Sequence, residues 1–463
     1  MTSPDADPTL TAQVPGAAPV APPPGDVLDS AEAGRRVMVG GMMRIGGYGL
    51  GLIASVIAAA VVFRYFGKDD YGRFSTVLAL VTGLQIVTDL GITSLGVREY
   101  AQRTGEDRER FMRVLLGMRL VTTVLLLIST TAAALVFGYD ETMIAGAALL
   151  GFAASIGAVS STVGIPLAAE IRMGVITGID VARQVATGVA YVALAAGGAS
   201  MLVFFGVSVP IYLAVLATTF FFVRGTVPLR PIIDPRAWGE LIAPTITFAL
   251  ASAAGSLYVY GAMVLTELVT DRVETSLFGA AFRVYIIISA FPVLLVTTAF
   301  PVLARAARDD RQRLTYAAQR LVEGTAILGG ATVIALVIGA EPIILTLAGD
   351  KFGDAIVSMR IQGVALAITF VIATFGFTLM ALHRHRAIIV CNALALTVSA
   401  TTVLTLGSAH GADGASVGVL LGETTLLTAY LVALRLGPEP MRFSLDRLVR
   451  IVLPLTLGLA CWF

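Results

Sequence analysis

Long apolar runs separated by short polar connections dominate this sequence of 463 residues. A transmembrane helix needs roughly 20 mainly apolar residues, and the apolar runs that reach this length number twelve. They cover residues 38–63, 74–97, 114–138, 142–168, 175–197, 200–223, 241–269, 277–303, 321–340, 355–382, 387–407 and 416–435. A shorter apolar stretch at 451–463 indicates the start of a further helix or a short anchor. The pattern predicts an all-α polytopic membrane protein with about twelve transmembrane helices.

Composition agrees with this prediction and excludes several functional classes. Hydrophobic residues make up 57% of the chain and charged residues only 14%, with a mean hydropathy of +0.86, whereas soluble domains carry roughly 25% charged residues. A net charge of +1 gives no reason to expect a nucleic-acid partner. No cysteine or histidine cluster has metal-ligand spacing, and no G-x-x-x-x-G-K-[ST] phosphate loop occurs. We therefore expect no cofactor and no ATPase, and any coupling would use an H⁺ or Na⁺ gradient.

The positive charges are distributed unequally between the two sets of connections. If the amino terminus is cytoplasmic, 22 of the 32 Lys and Arg side chains fall on the cytoplasmic side. Only five fall on the opposite side, namely Arg64, Lys68, Arg73, Arg272 and Lys351. Cytoplasmic loops are enriched in Lys and Arg, so this asymmetry predicts a multi-pass protein of the cytoplasmic membrane with its amino terminus inside.

The same connections suggest an internal duplication. Arg98 and Arg305, 207 residues apart, both leave an even-numbered span and lead into a basic turn, and Phe74 and Phe278 open those spans. This spacing indicates two lobes of six helices around a central cavity. We predict a disordered cytoplasmic tail at 1–34, lobes at 35–223 and 241–435, a cytoplasmic linker at 224–240, and at 436–463 a cytoplasmic segment with the start of a further helix.

Two arginines lie within predicted spans among small residues that allow close helix packing. Arg44 is in MMRIGGYG, and Arg283 is in FGAAFRVY. An ionisable group at membrane depth costs at least roughly 2.5 kcal/mol, so each is a functional candidate. A guanidinium fork suits phosphate oxygens, which makes both arginines candidate ligands of a diphosphate. The alternative is that they snorkel to lipid headgroups or pair with structural acids.

The remaining polar candidates within spans are one glutamine, three acids and one further arginine. Gln85 and Asp89 are one helical turn apart, and Asp180 and Arg183 are three residues apart, so each pair shares a helix face. Glu267 lies nearer the end of a span. A membrane carboxylate could carry H⁺ or Na⁺, because desolvation favours its protonated form. The alternative, a structurally paired or interfacial carboxylate, also stays open at each position.

Several segments resemble a known family. The segment FRYFGKDDYGRFSTVLALVTGLQIVTDLGITSLGVREYAQR (63–103) is similar to the opening of Wzx-like polysaccharide biosynthesis proteins, the oligosaccharide flippases of the multidrug/oligosaccharidyl-lipid/polysaccharide (MOP) exporter superfamily. The matching positions are Gly67, Tyr71, Gly72, Asp89, Gly91, Arg98 and Glu99. Segment 276–307 matches the eighth span of that family at Ala280, Arg283, Pro292 and Pro301, and 347–366 and 411–423 follow its later patterns. The resemblance covers residues 37–435.

The resemblance implies a transporter and not an enzyme. Its expected substrate is a polyprenyl-diphosphate-linked oligosaccharide, flipped from the cytoplasmic to the outer leaflet by alternating access for cell-surface polysaccharide assembly. Membrane lipids and a glycan polymerase or glycosyltransferase machinery are the other expected partners. One departure concerns coupling, since many relatives carry an aspartate in the seventh span where this chain has LYVYGAMVL (257–265).

Other functions are compatible with the same pattern of spans. The nearest is an ion-coupled drug or cation exporter of the same superfamily, which would favour an acidic cavity. A membrane glycan polymerase or ligase usually carries its acids and bases on a sizeable extracytoplasmic loop, and every outer connection predicted here is short. The third alternative is a membrane scaffold whose amino-terminal tail binds a partner.

Overall fold

The computed structural model describes residues 31–89, 91–170, 172–225, 230–243, 246–437, 440, 441 and 443, with the side chain of Asp309 and most side chains before residue 49 left out. Within these residues the chain is helical and contains no β-strand. The helices are α1 (Ala31–Asp89), α2 (Ile92–Gln102), α3 (Gly105–Val136), α4 (Glu141–Val163), α5 (Ile165–Ala169), α6 (Met173–Ala196), α7 (Met201–Gly206), α8 (Ser208–Val223), α9 (Pro235–Ile242), α10 (Ile246–Val269), α11 (Arg272–Asp309), α12 (Arg311–Ile338), α13 (Ala340–Leu347), α14 (Ala355–Ala381), α15 (His385–Thr402) and α16 (Ser408–Leu436). A π-helical turn, Val403–Gly407, joins α15 to α16.

Ten helices of the described part of the chain are long and apolar enough to cross a bilayer. Two of them, Gly49–Gln102 and His385–Leu436, run for 54 and 52 residues, enough for two crossings each. Each bends at a glycine with positive φ, at Gly67 (φ 65°) and at Gly411 (φ 58°), where a side chain would strain the backbone. Counting each bent helix twice gives the twelve crossings that the sequence predicts, in a multi-pass membrane protein.

Three predicted segments contain a helix start or a break that the apolar pattern does not indicate. Residues 31–34, predicted as part of the tail, begin α1, because Ala31, Glu32 and Ala33 favour helix. The second span is interrupted after Asp89, where Gly91 adopts a left-handed conformation (φ 71°) before α2. In the predicted linker 224–240, Asp234 accepts hydrogen bonds from backbone amides and starts α9. Residues 1–30, the apolar stretch at 451–463 and most of 436–463 lie outside the described residues.

The chain after α8 is held against α3 by hydrogen bonds to two α3 carbonyl groups. The Ile232 amide donates to the Arg113 carbonyl at 2.9 Å, and the Trp238 indole donates to the Val114 carbonyl at 3.2 Å. At Gly117 an added Cβ would lie 2.0 Å from the Ile232 oxygen, so only glycine permits this approach. The segment that precedes α10 is therefore held on α3.

The packing separates a first half, α1–α8, from a second half, α10–α16. Within the second half, α14 packs on α11, α12 and α16, whereas α1 packs on α6 in the first half and reaches α10 and α11 across the interface. We call the end of the bundle with the arginine-rich connections 98–113, 224–240 and 304–320 the basic end. We call the other end, with connections 64–73, 270–274 and 346–354, the closed end.

Candidate functional site

Direct contacts join the two halves at the closed end. The Lys68 ammonium lies 2.6 Å from the Asp354 carboxylate, and the Gly72 amide donates to Ser276 Oγ at 2.6 Å. At Gly72 an added Cβ would lie 2.9 Å from the same Ser276 oxygen, so the backbones meet closely there. Arg64 adds a hydrogen bond of 2.6 Å to the Thr346 carbonyl. The halves are therefore in contact at this end and leave no open path between these residues.

A central cavity of 1230 Å³ separates the halves toward the basic end. Its wall in the first half includes the amino-terminal part of α6, with Asp180, Arg183 and Gln184. Its wall in the second half comes from the parts of α10, α11, α14, α15 and α16 that lie nearest the arginine-rich connections. The bundle is thus closed at one end and hollow at the other, as expected for one state of an alternating-access transporter.

A second cavity, of 300 Å³, lies where α11 meets α1 and α6, and we call it the Arg283 pocket. Arg283 of the second half is partly buried, and its Nη2 donates to Ser55 Oγ of α1 at 3.2 Å. Close packing of α11 permits this, since an added Cβ at Gly279 would lie 2.8 Å from Ser75 Oγ. Among the described residues no carboxylate lies within 4 Å of Arg283, so its charge is available to an anion.

Arg183 of the first half lines the same pocket. Its Nε lies 4.0 Å from the Asp180 carboxylate, and its guanidinium sits 5.8 Å from the centre of the Tyr212 ring. Arg183 and its neighbour Gln184 also line the central cavity, which places the two cavities side by side. Two guanidinium groups, one from each half, therefore face one small cavity.

Hydroxyl and amide groups complete the wall of the Arg283 pocket. They are contributed by Ser55, Tyr71, Thr82, Gln85, Gln184, Thr187, Tyr191, Ser208 and Tyr212. Guanidinium groups and hydroxyl donors are the groups that bind phosphate oxygens in proteins. The pocket can therefore accept a di-anionic group, with a guanidinium on each side of the interface between the halves.

Asp89 is ion-paired. Its Oδ1 lies 2.8 Å from Nη2 of Arg119, whose side chain is only 2% exposed, while the Asp89 side chain is 34% exposed. Arg119 also donates to Thr162 Oγ1 at 2.6 Å and to Thr93 Oγ1 at 3.0 Å. Asp89 and Gln85 line a third cavity, of 370 Å³, as their spacing predicts for a shared face. The pair holds the Asp89 carboxylate against α3 at the wall of this cavity.

The predicted residue Glu267 does not contribute to these cavities. Glu267 lies near the closed end, where Thr76 Oγ1 of the first half is 3.4 Å from its carboxylate, and it lines none of the three cavities described above. The side chain of Arg44 lies outside the described residues. Where side chains are described, no group of three or more His, Cys, Asp or Glu could hold a metal ion.

A buried carboxylate that sequence reasoning did not select lies in the second half. Glu423 on α16 is 2% exposed and lines the central cavity. It accepts hydrogen bonds from Tyr258 at 3.0 Å, from Tyr285 at 2.8 Å and from Thr369 at 3.0 Å. The available signal was an acid at the end of the GADGASVGVLLGE segment (411–423), but its three donors come from three other helices and share no spacing with it.

Comparisons with known proteins identify the family to which this chain belongs. A family profile described as "polysaccharide biosynthesis protein" matches residues 33–307. The match contains the segments 63–103 and 276–307 on which the resemblance depends, and it ends before 347–366 and 411–423. No curated protein matches the chain by sequence.

Solved structures show the same fold at low sequence identity. The lipid II flippase MurJ in an inward closed conformation superposes with a TM-score of 0.71 at 12% identity, covering 91% of each chain. An inward-facing multidrug resistance MATE transporter of the MOP superfamily gives a TM-score of 0.64 at 14% identity, over 89% of this chain and 98% of that one. A MOP superfamily transporter from Pyrococcus furiosus gives 0.58 at 15% identity, over 90% and 95%. The chain therefore belongs to the polysaccharide biosynthesis protein family and has the fold of the MOP superfamily transporters.

Proposed function

We propose that this protein flips a polyprenyl-diphosphate-linked oligosaccharide from the cytoplasmic to the outer leaflet of the cytoplasmic membrane, for assembly of a cell-surface polysaccharide. The observation that carries the proposal is the Arg283 pocket, in which Arg183 and Arg283 approach one cavity from opposite halves. A diphosphate is the anion that two such groups fit, because each guanidinium can bind two phosphate oxygens side by side. The proposed substrate is thus held at the interface whose opening would move it.

Each of the two cavities holds a different part of the proposed substrate. The diphosphate occupies the Arg283 pocket, and the oligosaccharide occupies the central cavity of 1230 Å³, which shares Arg183 and Gln184 with that pocket. The polyprenyl chain stays in the bilayer, since moving it into a polar cavity would lose its contact with lipid. Only the polar head then crosses the membrane.

The direction of transport follows from the proposed orientation. With the arginine-rich connections in the cytoplasm, the basic end faces the membrane-bound enzymes that assemble the lipid-linked glycan. The central cavity is then open to the cytoplasmic side, and the contacts of Lys68 with Asp354 and of Gly72 with Ser276 close the outer side. Substrate loads in this state, and separation of the closed-end contacts releases it outward.

The multidrug exporter alternative has one supporting observation. The central cavity contains the carboxylates of Asp180 and Glu423, which an organic cation could approach. The Arg283 pocket argues against it, because a cation gains nothing from two guanidinium groups. A binding test with anionic and cationic probes therefore separates the two functions.

The test is direct binding to purified protein in detergent, by calorimetry. The probes are a short-chain polyprenyl diphosphate, the matching monophosphate, the neutral polyprenol and a lipophilic organic cation. We expect the diphosphate to bind most tightly and Arg183→Ala with Arg283→Ala to weaken it by roughly a hundredfold, since hydrogen bonds to charged groups contribute about 1.5–3 kcal/mol each. Equal binding of diphosphate and polyprenol, or tighter binding of the cation, would refute the assignment.

A further inference from the structure

Glu423 lies at the junction of four helices of the second half. The carboxylate projects from α16, and its three hydrogen-bond donors are Tyr258 of α10, Tyr285 of α11 and Thr369 of α14. No lysine, arginine or histidine among the described residues lies within ion-pair distance of it. An ionised Glu423 would therefore depend on hydroxyl dipoles alone in a buried site.

The other titratable groups near this carboxylate are three phenols and one thiol. Tyr258 and Tyr285 contact it directly, Tyr430 of α16 lies nearby, and Cys391 of α15 lies beside Tyr430. Phenol and thiol side chains carry no charge at neutral pH in such surroundings. Burying an uncompensated charge costs free energy, so the neutral acid competes with the carboxylate at this site.

The hydroxyl of Thr369 has more acceptors than it can serve. Its oxygen lies 3.0 Å from Glu423 Oε2, 3.0 Å from the Tyr285 hydroxyl and 3.1 Å from the Ala365 carbonyl. A threonine hydroxyl has one proton to donate and two lone pairs with which to accept. The acceptor of that single proton therefore determines whether Glu423 accepts a hydrogen bond from Thr369 or donates one to it.

Two hydrogen-bond arrangements give both carboxylate oxygens partners with the heavy atoms in place, and in both the contact between the Tyr285 and Thr369 hydroxyls carries no proton. In the first, Thr369 donates to Oε2, and the ionised Glu423 accepts three hydrogen bonds. In the second, Thr369 donates to the Ala365 carbonyl, and a protonated Oε2 donates to the Thr369 oxygen. Tyr258 and Tyr285 donate to Oε1 in both arrangements. Rotation about one C–O bond is the only rearrangement between the two protonation states.

We propose that Glu423 is the proton-binding group of the transport cycle and that the Thr369 hydroxyl switches between Glu423 and the Ala365 carbonyl as the proton binds and leaves. The inference rests on the proposed flippase function for its role and on the local geometry for the site. Glu423 lines the central cavity, so in this conformation the proton exchanges with water at the basic end. No further co-reactant is needed, because the proton passes between water and Oε2.

The Glu423 site and the Arg283 pocket both include residues of helix α11. Arg283 and Tyr285 are two residues apart on α11, and the first donates to Ser55 of the first half while the second donates to Glu423. A change in the position of α11 on opening of the halves therefore alters both the anion pocket and the donor set of Glu423. This gives proton binding and substrate binding a common moving element.

A glycine next to the acid makes the site possible. At Gly422 an added Cβ would lie 2.9 Å from the Tyr258 hydroxyl and 2.8 Å from a carbon of its ring. Only glycine allows Tyr258 to approach Glu423 at hydrogen-bond distance. The Gly-Glu end of the 411–423 segment thus has a physical explanation in this cluster.

The first experiment uses infrared difference spectroscopy of the purified protein as the pH is changed. We expect a carbonyl band of a protonated carboxyl group that titrates, is absent in Glu423→Gln and remains in the matched control Asp89→Asn. We also expect Thr369→Val to shift the band and Thr369→Ser to restore its position. An identical titrating band in the wild type and in Glu423→Gln would overturn the proposal, whatever the protein transports.

The second experiment measures flipping in proteoliposomes with and without a pH gradient that is acidic on the outer side. The readout is the ratio of the two rates, which does not depend on how much of each variant is active. We expect the gradient to accelerate the wild type and to leave the rate of Glu423→Gln unchanged. Equal acceleration of both would refute coupling through Glu423, whereas absence of flipping in the wild type would contradict the flippase function and leave the infrared result to decide the proton site.

Discussion

Gly72 and Ser276, 204 residues apart in sequence, lie in contact at the closed end, with the Gly72 amide donating to Ser276 Oγ at 2.6 Å. Ser75 and Gly279 repeat the relationship at the same spacing, since an added Cβ on Gly279 would lie 2.8 Å from Ser75 Oγ. Positions that the proposed duplication makes equivalent thus meet each other, which is the geometry that a two-fold axis between the halves would produce. Opening of the closed end has to separate them.

A cross-link at this contact should trap the transporter. We expect Gly72→Cys with Ser276→Cys, in a background with Cys391→Ala and Cys461→Ala, to form a disulfide on oxidation and to abolish transport. Each single cysteine variant should remain active after the same oxidation, and a reductant should restore the double variant. Full activity of the oxidised double variant, with the disulfide verified by mass spectrometry, would show that these residues do not have to separate.

Substitution of Arg283 tests the anion pocket during transport. We expect Arg283→Ala to reduce the transport rate by roughly tenfold or more at low substrate concentration, because a charge-assisted hydrogen bond to phosphate is worth about 1.5–3 kcal/mol. Arg283→Lys should recover only part of the rate, since lysine keeps the charge and loses the bidentate fork. Arg110→Ala, at an exposed position of α3, is the matched control. Wild-type transport by Arg283→Ala would discard the role of this residue.

The pair of Asp89 and Arg119 predicts unequal losses of stability from its two members. Removing the carboxylate with Asp89→Ala leaves a guanidinium that is 2% exposed without a counter-ion, and loss of one partner of a buried pair costs about 3–5 kcal/mol. Arg119→Met leaves a carboxylate that is 34% exposed and can be hydrated from the cavity, so it should cost less. Thermal unfolding in detergent measures both. A larger loss for Arg119→Met would contradict this account of the pair.

The ion pair of Arg73 with Asp140 at the closed end predicts a pH dependence of stability. Burial alone would raise the pKa of Asp140, but hydrogen bonds from Arg73 and from the amide of Met143, together with the charge of Arg73, lower this pKa below its ordinary value. A lowered folded-state pKa means that the stabilisation is present above about pH 4 and is lost as the pH falls through the folded-state value.

Asp140→Asn tests this dependence. The difference in Tm between wild type and Asp140→Asn should be largest at neutral pH and should shrink as the pH falls below about 4, because both proteins then carry a neutral side chain at this position. Scanning calorimetry across this range gives the measurement. A difference that stays constant with pH would show that the carboxylate charge does not stabilise the fold.

The helices were largely predictable, and their interruptions were not. Twelve apolar runs suffice for twelve crossings because each helix satisfies its own backbone hydrogen bonds in lipid. The interruption before Gly91 and the start of α9 at Pro235 depend on single turn and capping residues, which a count of apolar residues does not register. The positions of spans are therefore more accurate than their ends.

Partners of the polar residues were harder to predict than the residues themselves. The apolar run around Asp89 indicates its depth in the span, but its partner Arg119 is 30 residues away on another helix. Glu423 lies near a predicted span end, where the sequence favours an interfacial carboxylate, whereas the packing of four helices buries it. Such contacts depend on how helices rotate and pack against each other, and no spacing along one helix encodes that.

The most direct test of the central claim is the leaflet accessibility of a polyprenyl-diphosphate oligosaccharide in liposomes, with and without the purified protein. An impermeant sugar-modifying enzyme added outside reads the exposed fraction. We expect the wild type to expose the substrate pool of the inner leaflet and the double variant Arg183→Ala with Arg283→Ala to leave it unexposed. If the folded wild type exposes none of that pool with any of several glycans, the protein is not a flippase of this substrate class.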